Sequence, residues 1–337
     1  MKVVVFRGAN FEKLYGAGYD TEFFDNQWKT NLSKIPEVTE IVYENSSRDK
    51  EYLKEKLKDA DAGISLMIFD NFLDEELFKA CPKLKYVATG AHGFGKFDAK
   101  AMKEYSVTAT NTIYGDVTIA QFAMGLLLDI CHNVEIHSNF YKKDKWLLDD
   151  PGIKKIFTRQ YELYGKTVGI YGLGGIGLKF AEMIRGFGVN VIAYSRTKKT
   201  GAEYDFIEQV SFDELLERSD IISIHCPLTQ DTQNTINQET IAKMKDGVII
   251  INTARGAIID EDALYDALQS KKVYAAGLDV VCGEPISKPC KLMECENAKI
   301  TEHMAWITIE SKIRSTEIMC ENLANWINGN PTSVINK

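Results

Sequence analysis

The sequence lacks the cysteine patterns that mark disulfide scaffolds and metal sites. Its seven cysteines are an odd number and include no C-x-x-C pair. This usage suits a reducing cytoplasm better than a disulfide framework. Cys290 and Cys295 lie close together, but zinc sites usually show tighter pairs and further ligands. We therefore expect a cytoplasmic protein without a bound metal.

Long apolar runs and an excess of positive charge are also missing. The most apolar segment, residues 119–130, is interrupted by Gln121 and is shorter than the ~20 residues of a membrane span. The N-terminal residues MKVVVFRG are typical of a short buried strand rather than a signal peptide. A net charge of −8 argues against non-specific binding to nucleic acid. We expect neither a membrane nor a nucleic-acid partner, and an anionic ligand would need a local cluster of positive charge.

The length and the hydrophobic rhythm of the chain predict two α/β domains. A chain of 337 residues exceeds the size at which a single core usually stops growing. From Lys166 onwards, short β-rich runs alternate with amphipathic helices, which predicts a doubly wound parallel sheet. Ser211 and Glu214 form a capping box that opens one of these helices. Gly329 ends a long amphipathic helix that begins near Thr308. The N-terminal third shows the same alternation more weakly.

A glycine-rich turn lies between the strand-like run KTVGIYG and the helix-like run that follows it. In this turn Gly172 permits the sharp bend, Gly174 lets the backbone approach a pyrophosphate, and Gly177 lets helix and strand pack closely. The pyrophosphate of a dinucleotide then sits on the N–H groups at the start of the helix. Because a strand precedes the turn and a helix follows it, the motif predicts a dinucleotide site. Its loop residues are Gly172, Gly174, Gly175, Ile176 and Gly177.

The residues at the end of the next strand indicate which dinucleotide is bound. An NAD site usually has Asp or Glu about 20 residues after the glycines, where it binds the ribose hydroxyls. A carboxylate there would repel the 2′-phosphate of NADP, whereas Arg can hold it through charge-assisted hydrogen bonds. One such bond contributes roughly 1.5–3 kcal/mol. A solvated basic turn is the alternative interpretation, but the position favours NADP(H) over NAD(H). The residues found there are Ser195, Arg196, Thr197, Lys198 and Lys199.

Several later stretches resemble the D-isomer-specific 2-hydroxyacid dehydrogenase family. They are PLT at 227–229, NTARG at 252–256, GLDVVCGEP at 277–285 and EHMAW at 302–306. With the glycine turn they occur in the family's order, and the match spans residues 86–330. The resemblance implies two Rossmann-like domains with doubly wound parallel sheets and an active site in the cleft between them. A discontinuous, flavodoxin-like substrate domain would comprise residues 1–111 and 304–337, and the dinucleotide-binding domain residues 112–303.

By this resemblance Arg255 is the substrate clamp, His303 the acid/base and Glu284 its partner. A guanidinium can hold the substrate carboxylate and polarise the ketone in one geometry. Histidine suits proton transfer because its unperturbed pKa lies near neutrality, and a neighbouring carboxylate favours the imidazolium and orients the ring. Taken singly, these residues are compatible with a surface arginine, a loop carboxylate and an interior histidine. Their order after a dinucleotide loop predicts a catalytic set.

The resemblance also assigns binding residues. The backbone N–H groups near Ala91, His92 and Gly93 would receive the substrate carboxylate. Trp306 resembles the glycerate dehydrogenase and hydroxypyruvate reductase branch, in which an indole walling the pocket favours glyoxylate or hydroxypyruvate; packing at the domain seam is the alternative. His92, Gly95 and Glu302 depart from the family's commoner residues. Cofactor contacts are implied for Pro227, Thr253, Ala254 and Asp279, whereas His225 in the cofactor wall is interpreted as structural.

The predicted function is NADP(H)-dependent reduction of a short 2-keto acid, of the glyoxylate or hydroxypyruvate type, to the D-2-hydroxy acid by hydride transfer. Two alternatives stay open. One is an NAD-dependent D-lactate-type or D-3-phosphoglycerate dehydrogenase, and the other is a non-catalytic protein that senses dinucleotides. The helical region 116–146 resembles the dimer-forming segment of the family, so a homodimer is expected.

Overall fold

A computed structural model describes residues 1–8, 20–65, 69, 72–93, 97–144 and 158–336. The strands are β1 (Lys2–Arg7), β2 (Glu40–Asn45), β3 (Ala62–Ser65), β4 (Tyr86–Thr89), β5 (Thr108–Thr110), β6 (Thr167–Tyr171), β7 (Asn190–Tyr194), β8 (Glu208–Gln209), β9 (Ile221–Ile224), β10 (Val248–Asn252), β11 (Val273–Leu278) and β12 (Ala298–Ile300). The helices are α1 (Thr21–Leu32), α2 (Lys50–Leu57), α3 (Glu75–Ala80), α4 (Ala99–Glu104), α5 (Asp116–His132), α6 (Val134–Asp144), α7 (Gly175–Ile184), α8 (Phe212–Arg218), α9 (Gln238–Lys243), α10 (Glu261–Gln269) and α11 (Ile309–Ile327).

The chain divides into two units, one of Met1–Gly115 with Ile307–Lys337 and one of Asp116–Trp306. The first unit contains a parallel sheet with the order β2-β1-β3-β4-β5, which is the flavodoxin-like order. Helix α11 packs against α1 and β4. Its residues Met319, Cys320 and Leu323 are buried in one cluster with Trp28 and Tyr86. The last helix of the chain therefore completes the core of the unit that contains its first strands.

The second unit contains a seven-stranded parallel sheet with the order β12-β11-β10-β9-β6-β7-β8. Six of these strands reproduce the Rossmann order, and β12 extends it at one edge. The central strands β9 and β10 are buried along their whole length, as their continuous apolar sequences require in a sheet covered on both faces. The strand order reverses between β6 and β9, and ligands of such sheets bind at this switch point.

Helices cover both faces of the seven-stranded sheet. One core cluster joins α5 and α7 to the sheet, and another joins α8 and α10 to its opposite face. Helix α5 buries Ala120, Ala123 and Leu127 in the first of these clusters. Within the described residues, no single helix is long and apolar enough to cross a membrane; α5 and α6 reach that length and composition only as a pair bent by 57°.

The predicted α/β class with two doubly wound parallel sheets is confirmed. The capping box of Ser211 and Glu214 opens α8, and Thr308 caps α11, which ends before Gly329 with φ +76°. Helix α1 and strand β2 were not predicted. The hydrophobic pattern of both elements is weak. Helix α1 buries only Trp28 and Leu32, and β2 has half-buried positions between exposed ends.

Candidate active site

The glycine turn after β6 lies at the switch point of the second unit. Gly172 has φ +103°, and a Cβ there would meet the backbone N of Cys226 at 2.4 Å. A side chain at Gly177 would meet the carbonyl oxygen of Gly172 at 2.2 Å. These two positions require glycine for packing within the protein. Space is open above Gly174, so that position leaves room for an external group.

The residues around this turn fit a dinucleotide. Helix α7 begins at Gly175 without a side-chain cap, so its first N–H groups can bind phosphate. Two buried polar atoms at the ends of neighbouring strands, Oγ1 of Thr253 and Nδ1 of His225, have no hydrogen-bond partner among the described residues. Buried polar groups rarely stay unpaired in the functional state of a protein. A bound dinucleotide is a ligand that could supply such partners.

His225 contributes a neutral ring to this region. Its Nε2 is 2.8 Å from Oγ of Ser223, and the ring lies 5.1 Å from that of Phe180. Burial lowers the pKa of His225 to about 3, because the charged form would lose its hydration. The ring is therefore uncharged at neutral pH and is not a proton donor there.

The turn after β7 presents positive charge to solvent. Arg196, Thr197 and Lys198 are exposed, and the hydroxyl of Ser195 donates to the carbonyl of Thr197 at 2.8 Å. Within the described part of the chain, neither Arg196 nor Lys198 forms an ion pair, unlike neighbouring Arg218, which binds Glu208. The N–H of Gly172 donates to the carbonyl of Tyr194 at 2.8 Å. The unpaired cations thus follow a strand end that is bonded to the glycine turn.

Arg255 lies in the loop after β10, beside the loop that carries Glu284. The side chain of buried Asn252 holds this turn, accepting from the N–H of Ala254 and donating to the carbonyl of Arg255, both at 2.9 Å. A Cβ on Gly256 would meet the backbone of Val281 at 2.1 Å, so the two loops touch through their backbones. Arg255 itself is exposed.

Glu284 and His303 form a direct contact. Oε2 of Glu284 lies 2.7 Å from Nδ1 of His303, and Oε1 accepts from the N–H of Val281 at 2.5 Å. The side chains are 27% and 40% exposed respectively, so solvent or a substrate can reach the imidazole. Since a carboxylate only accepts, Nδ1 carries the ring proton and Nε2 is left for proton exchange. The structure brings these two predicted residues together with the loop of Arg255.

Asp279 organises the segment that carries His303. Its carboxylate is fully buried and accepts from the hydroxyl of Thr301 at 2.6 Å and from the N–H groups of Met304 and Ala305 at 2.9 and 2.8 Å. Its carbonyl accepts from the N–H of His303 at 2.8 Å. A carboxylate with these partners fixes a tight turn around the histidine. Its predicted contact with the cofactor stays a prediction.

The remaining predicted residues occupy loops at strand ends. Ala91, His92 and Gly93 follow β4 in the first unit, where the carbonyl of His92 accepts from the side chain of Asn111 at 2.7 Å; Gly95 lies outside the described residues. The carbonyl of Pro227 accepts from the Thr232 hydroxyl at 2.7 Å, and Glu302 is exposed.

Trp306 is half-buried at the end of the second unit, and its indole N–H donates to the carbonyl of His303 at 2.8 Å.

The described residues contain no cluster of three or more His, Cys, Asp or Glu side chains that could hold a metal ion.

Sequence reasoning missed three residues that shape the site. Asn252 supports the Arg255 turn, and Thr301 donates to Asp279. Gln209 holds the basic turn by two hydrogen bonds to the backbone of Lys199, at 2.7 and 2.8 Å. The sequence does mark Asn252, because it is a polar residue at the end of a strand of isoleucines and lies inside the NTARG motif. No sequence pattern marks Gln209, because its contact with Lys199 depends on the pairing of β7 with β8.

Comparisons with known proteins show what the chain is similar to. The family profile "D-isomer specific 2-hydroxyacid dehydrogenase, NAD binding domain" matches residues 124–305. A hydroxypyruvate reductase of Blautia hydrogenotrophica is 38% identical over 331 residues, covering 95% of this chain and 98% of that protein. A glyoxylate reductase of Korarchaeum cryptofilum is 34% identical over 312 residues, covering 91% and 92%. A solved acyclic imino acid reductase in complex with NADPH and D-Arg has a TM-score of 0.77 at 25% identity, covering 99% of this chain and all of that one.

Proposed function

Because the chain belongs to the D-isomer-specific 2-hydroxyacid dehydrogenase family, we propose that it reduces glyoxylate, hydroxypyruvate or a similarly short 2-keto acid to the D-2-hydroxy acid with NADPH. It is an oxidoreductase with a nicotinamide dinucleotide cofactor. The observation that carries the proposal is the 2.7 Å contact of Glu284 with His303, beside the Arg255 loop of a Rossmann unit.

The roles of the three side chains follow from their chemistry. When bound, the cofactor supplies a hydride from C4 of its nicotinamide. The guanidinium of Arg255 binds the substrate carboxylate and polarises the ketone. His303 donates a proton from Nε2 to the carbonyl oxygen, while its Nδ1–H stays hydrogen-bonded to Glu284, whose carboxylate stabilises the imidazolium before transfer. In the oxidative direction the same ring accepts the proton.

NADPH is favoured by the charges after β7. Arg196 and Lys198 are exposed and have no ion-pair partner among the described residues, and no carboxylate occupies the stretch 195–199. Such cations suit the 2′-phosphate of NADP and leave the ribose hydroxyls of NAD without a carboxylate acceptor. The acyclic imino acid reductase of similar fold binds NADPH.

The size of the substrate is inferred from Trp306 and from the relatives. A bulky indole next to His303 favours small, polar keto acids, and the two relatives are a hydroxypyruvate and a glyoxylate reductase. The backbone near Ala91, His92 and Gly93 would bind the carboxylate. In this proposal residues 1–111 and 304–337 form the substrate domain, and residues 112–303 bind the dinucleotide.

We also propose a cytoplasmic homodimer that associates through residues 116–146. All seven cysteines are free thiols, which fits a reducing compartment. Apolar side chains are exposed in this region, with Val134 at 65%, and exposed apolar patches often mark protein contacts. Residues 145 and 146, at the end of the expected segment, lie outside the described residues.

Steady-state kinetics test the proposed reaction. Glyoxylate, hydroxypyruvate, pyruvate and 3-phosphohydroxypyruvate are each reduced with NADPH and with NADH, and the values of kcat/KM are compared. We expect the two short substrates with NADPH to be the best combinations. Equal or higher efficiency with NADH would remove the cofactor assignment. Tight binding of NADPH without turnover of any keto acid would favour a sensor.

A histidine variant tests the assignment of the acid. His303→Ala removes the proton donor, and kcat should fall by about 10²–10⁴-fold. His132→Ala is the matched control, because the side chain of this exposed histidine bonds only Gln160 among the described residues, through Nδ1. Near-normal turnover of the His303 variant would mean that another group donates the proton.

A further inference from the structure

The backbone of His303 is held in a conformation that residues with side chains disfavour. Its φ angle is +51°, in the left-handed region where Cβ crowds the backbone. Such a conformation persists only when surrounding contacts impose it. The hydrogen bonds of the peptide groups on either side of this residue therefore decide where its imidazole points.

Both sides of the His303 Cα are fixed. On one side, its N–H donates to the carbonyls of Asp279 and Thr301 at 2.8 and 3.1 Å. On the other, the peptide joining His303 to Met304 is held at both ends. The N–H of Met304 donates to the Asp279 carboxylate at 2.9 Å, and the carbonyl of His303 accepts from the indole of Trp306 at 2.8 Å. Among the described side chains, the indole alone bonds this carbonyl.

We propose that Trp306 is a positioning residue for the acid His303. By donating its indole N–H to the carbonyl of His303, it fixes the ψ angle of that residue and keeps the imidazole against Glu284. The inference rests on the proposed reduction of a 2-keto acid and adds a role for Trp306 beyond walling the pocket. The N–H is used within the protein and does not serve as a donor to substrate.

The two roles of Trp306 predict different kinetics. Loss of a pocket wall weakens ground-state binding and raises KM for the keto acid while kcat is kept. Loss of positioning misdirects the proton donor and lowers kcat while KM is kept, since small misplacements of a reacting group are costly in rate. Comparing the change in kcat with the change in KM therefore distinguishes a pocket wall from a positioning residue.

Trp306→Phe keeps an aromatic ring and removes the N–H. We expect kcat to fall by about 10- to 100-fold, with KM for glyoxylate and Kd for NADPH little changed. Trp326→Phe is the matched control in the first unit, where the indole donates to the hydroxyl of Thr108 at 3.2 Å. It should leave both kinetic parameters near those of the wild type. Should Trp306→Phe not fold, Trp306→Tyr removes the same N–H and is expected to behave alike.

A spectroscopic measurement that needs no turnover tests the positioning role of Trp306 independently of the proposed reaction. In proton NMR, the Nδ1–H of His303 bonded to Glu284 should give a downfield signal, assigned by its loss in His303→Ala. We expect the signal to weaken or disappear in Trp306→Phe and to persist in Trp326→Phe. Unchanged kcat, or an unchanged signal in Trp306→Phe, would overturn the positioning role. If the wild type reduced no 2-keto acid, the proposed function would fail and the signal would still decide the role of the indole.

Discussion

At the residue scale, two histidines that follow different strands of the same sheet, His225 after β9 and His303 after β12, lie in very different surroundings. His225 is enclosed, and burial lowers its pKa to about 3. His303 is 40% exposed, and its Nδ1 lies 2.7 Å from the Glu284 carboxylate, so that solvent or a substrate can reach the ring. The proposed proton transfer is therefore assigned to His303 rather than to His225.

The buried ring of His225 also makes stability depend on pH. Its pKa is lower in the folded state, so as the pH falls from about 6.5 toward 3 the unfolded chain takes up a proton that the folded chain does not. The free energy of unfolding then decreases by about 1.4 kcal/mol per pH unit. In His225→Gln, the loss between pH 7 and pH 5 should be about 2 kcal/mol smaller than in the wild type. Urea unfolding at both pH values measures this, with exposed His132→Gln as the control. Equal losses in all three proteins would contradict the burial argument.

The proposed preference for NADPH rests on single cations after β7. Arg196→Ser removes an unpaired guanidinium, and KM for NADPH should rise by about one to two decades while that for NADH changes little. Arg218→Ser is a matched control. It removes the same charge nearby, but Arg218 is already neutralised by Glu208 at 2.7 and 2.8 Å. A parallel loss with both cofactors in Arg196→Ser would indicate damage to the fold of the turn rather than loss of phosphate binding.

At the scale of elements, the connection of β6 to α7 combines packing and binding in neighbouring glycines. The positive φ of Gly172 and its close approach to Cys226 require glycine for packing, whereas the space above Gly174 is open and is assigned to the cofactor in our proposal. Alanine substitutions at Gly172 and Gly174 should therefore have different effects, the first on stability and the second on cofactor binding.

Gly172→Ala should lower the stability of the protein by more than about 2 kcal/mol, because the new Cβ meets backbone in a left-handed conformation. Gly174→Ala should leave the melting temperature without cofactor near that of the wild type, but weaken NADPH binding by about tenfold or more. Thermal unfolding with and without NADPH distinguishes the two. A Gly172→Ala protein as stable as Gly174→Ala would show that the turn can rearrange.

The elements also show what sequence patterns can predict. The start of α8 and the glycine turn were predicted because their signals lie within a few residues of each other. Helix α1 was missed because its few buried residues leave no apolar stripe. The buried carboxylate of Asp279 reaches Met304 and Ala305, 25 and 26 positions away. Motifs could assign Asp279 to the site, but only the fold places it beneath the histidine.

At the scale of the whole molecule, the exposed apolar residues at the start of α6 bear on the oligomeric state. Val134→Glu puts a charge into the proposed dimer contact, where its burial would be costly. We expect sedimentation velocity to show dimers of the wild type and mainly monomers of this variant. Met293→Glu changes a similarly exposed residue, at 49%, outside residues 116–146 and should stay dimeric. A monomeric wild type, or a dimeric Val134→Glu protein, would argue against this contact.

The first unit is interrupted by the second between Gly115 and Ile307, and this has a consequence for biosynthesis. Domains generally fold as units while the ribosome elongates the chain. The five strands of the first sheet leave the ribosome early, but Trp28 and Tyr86 are covered by α11 only in the finished core. The nascent chain thus exposes the part of this core that α11 later covers while all of the second unit is translated. Chaperone binding during translation is expected to concentrate on that part of the core.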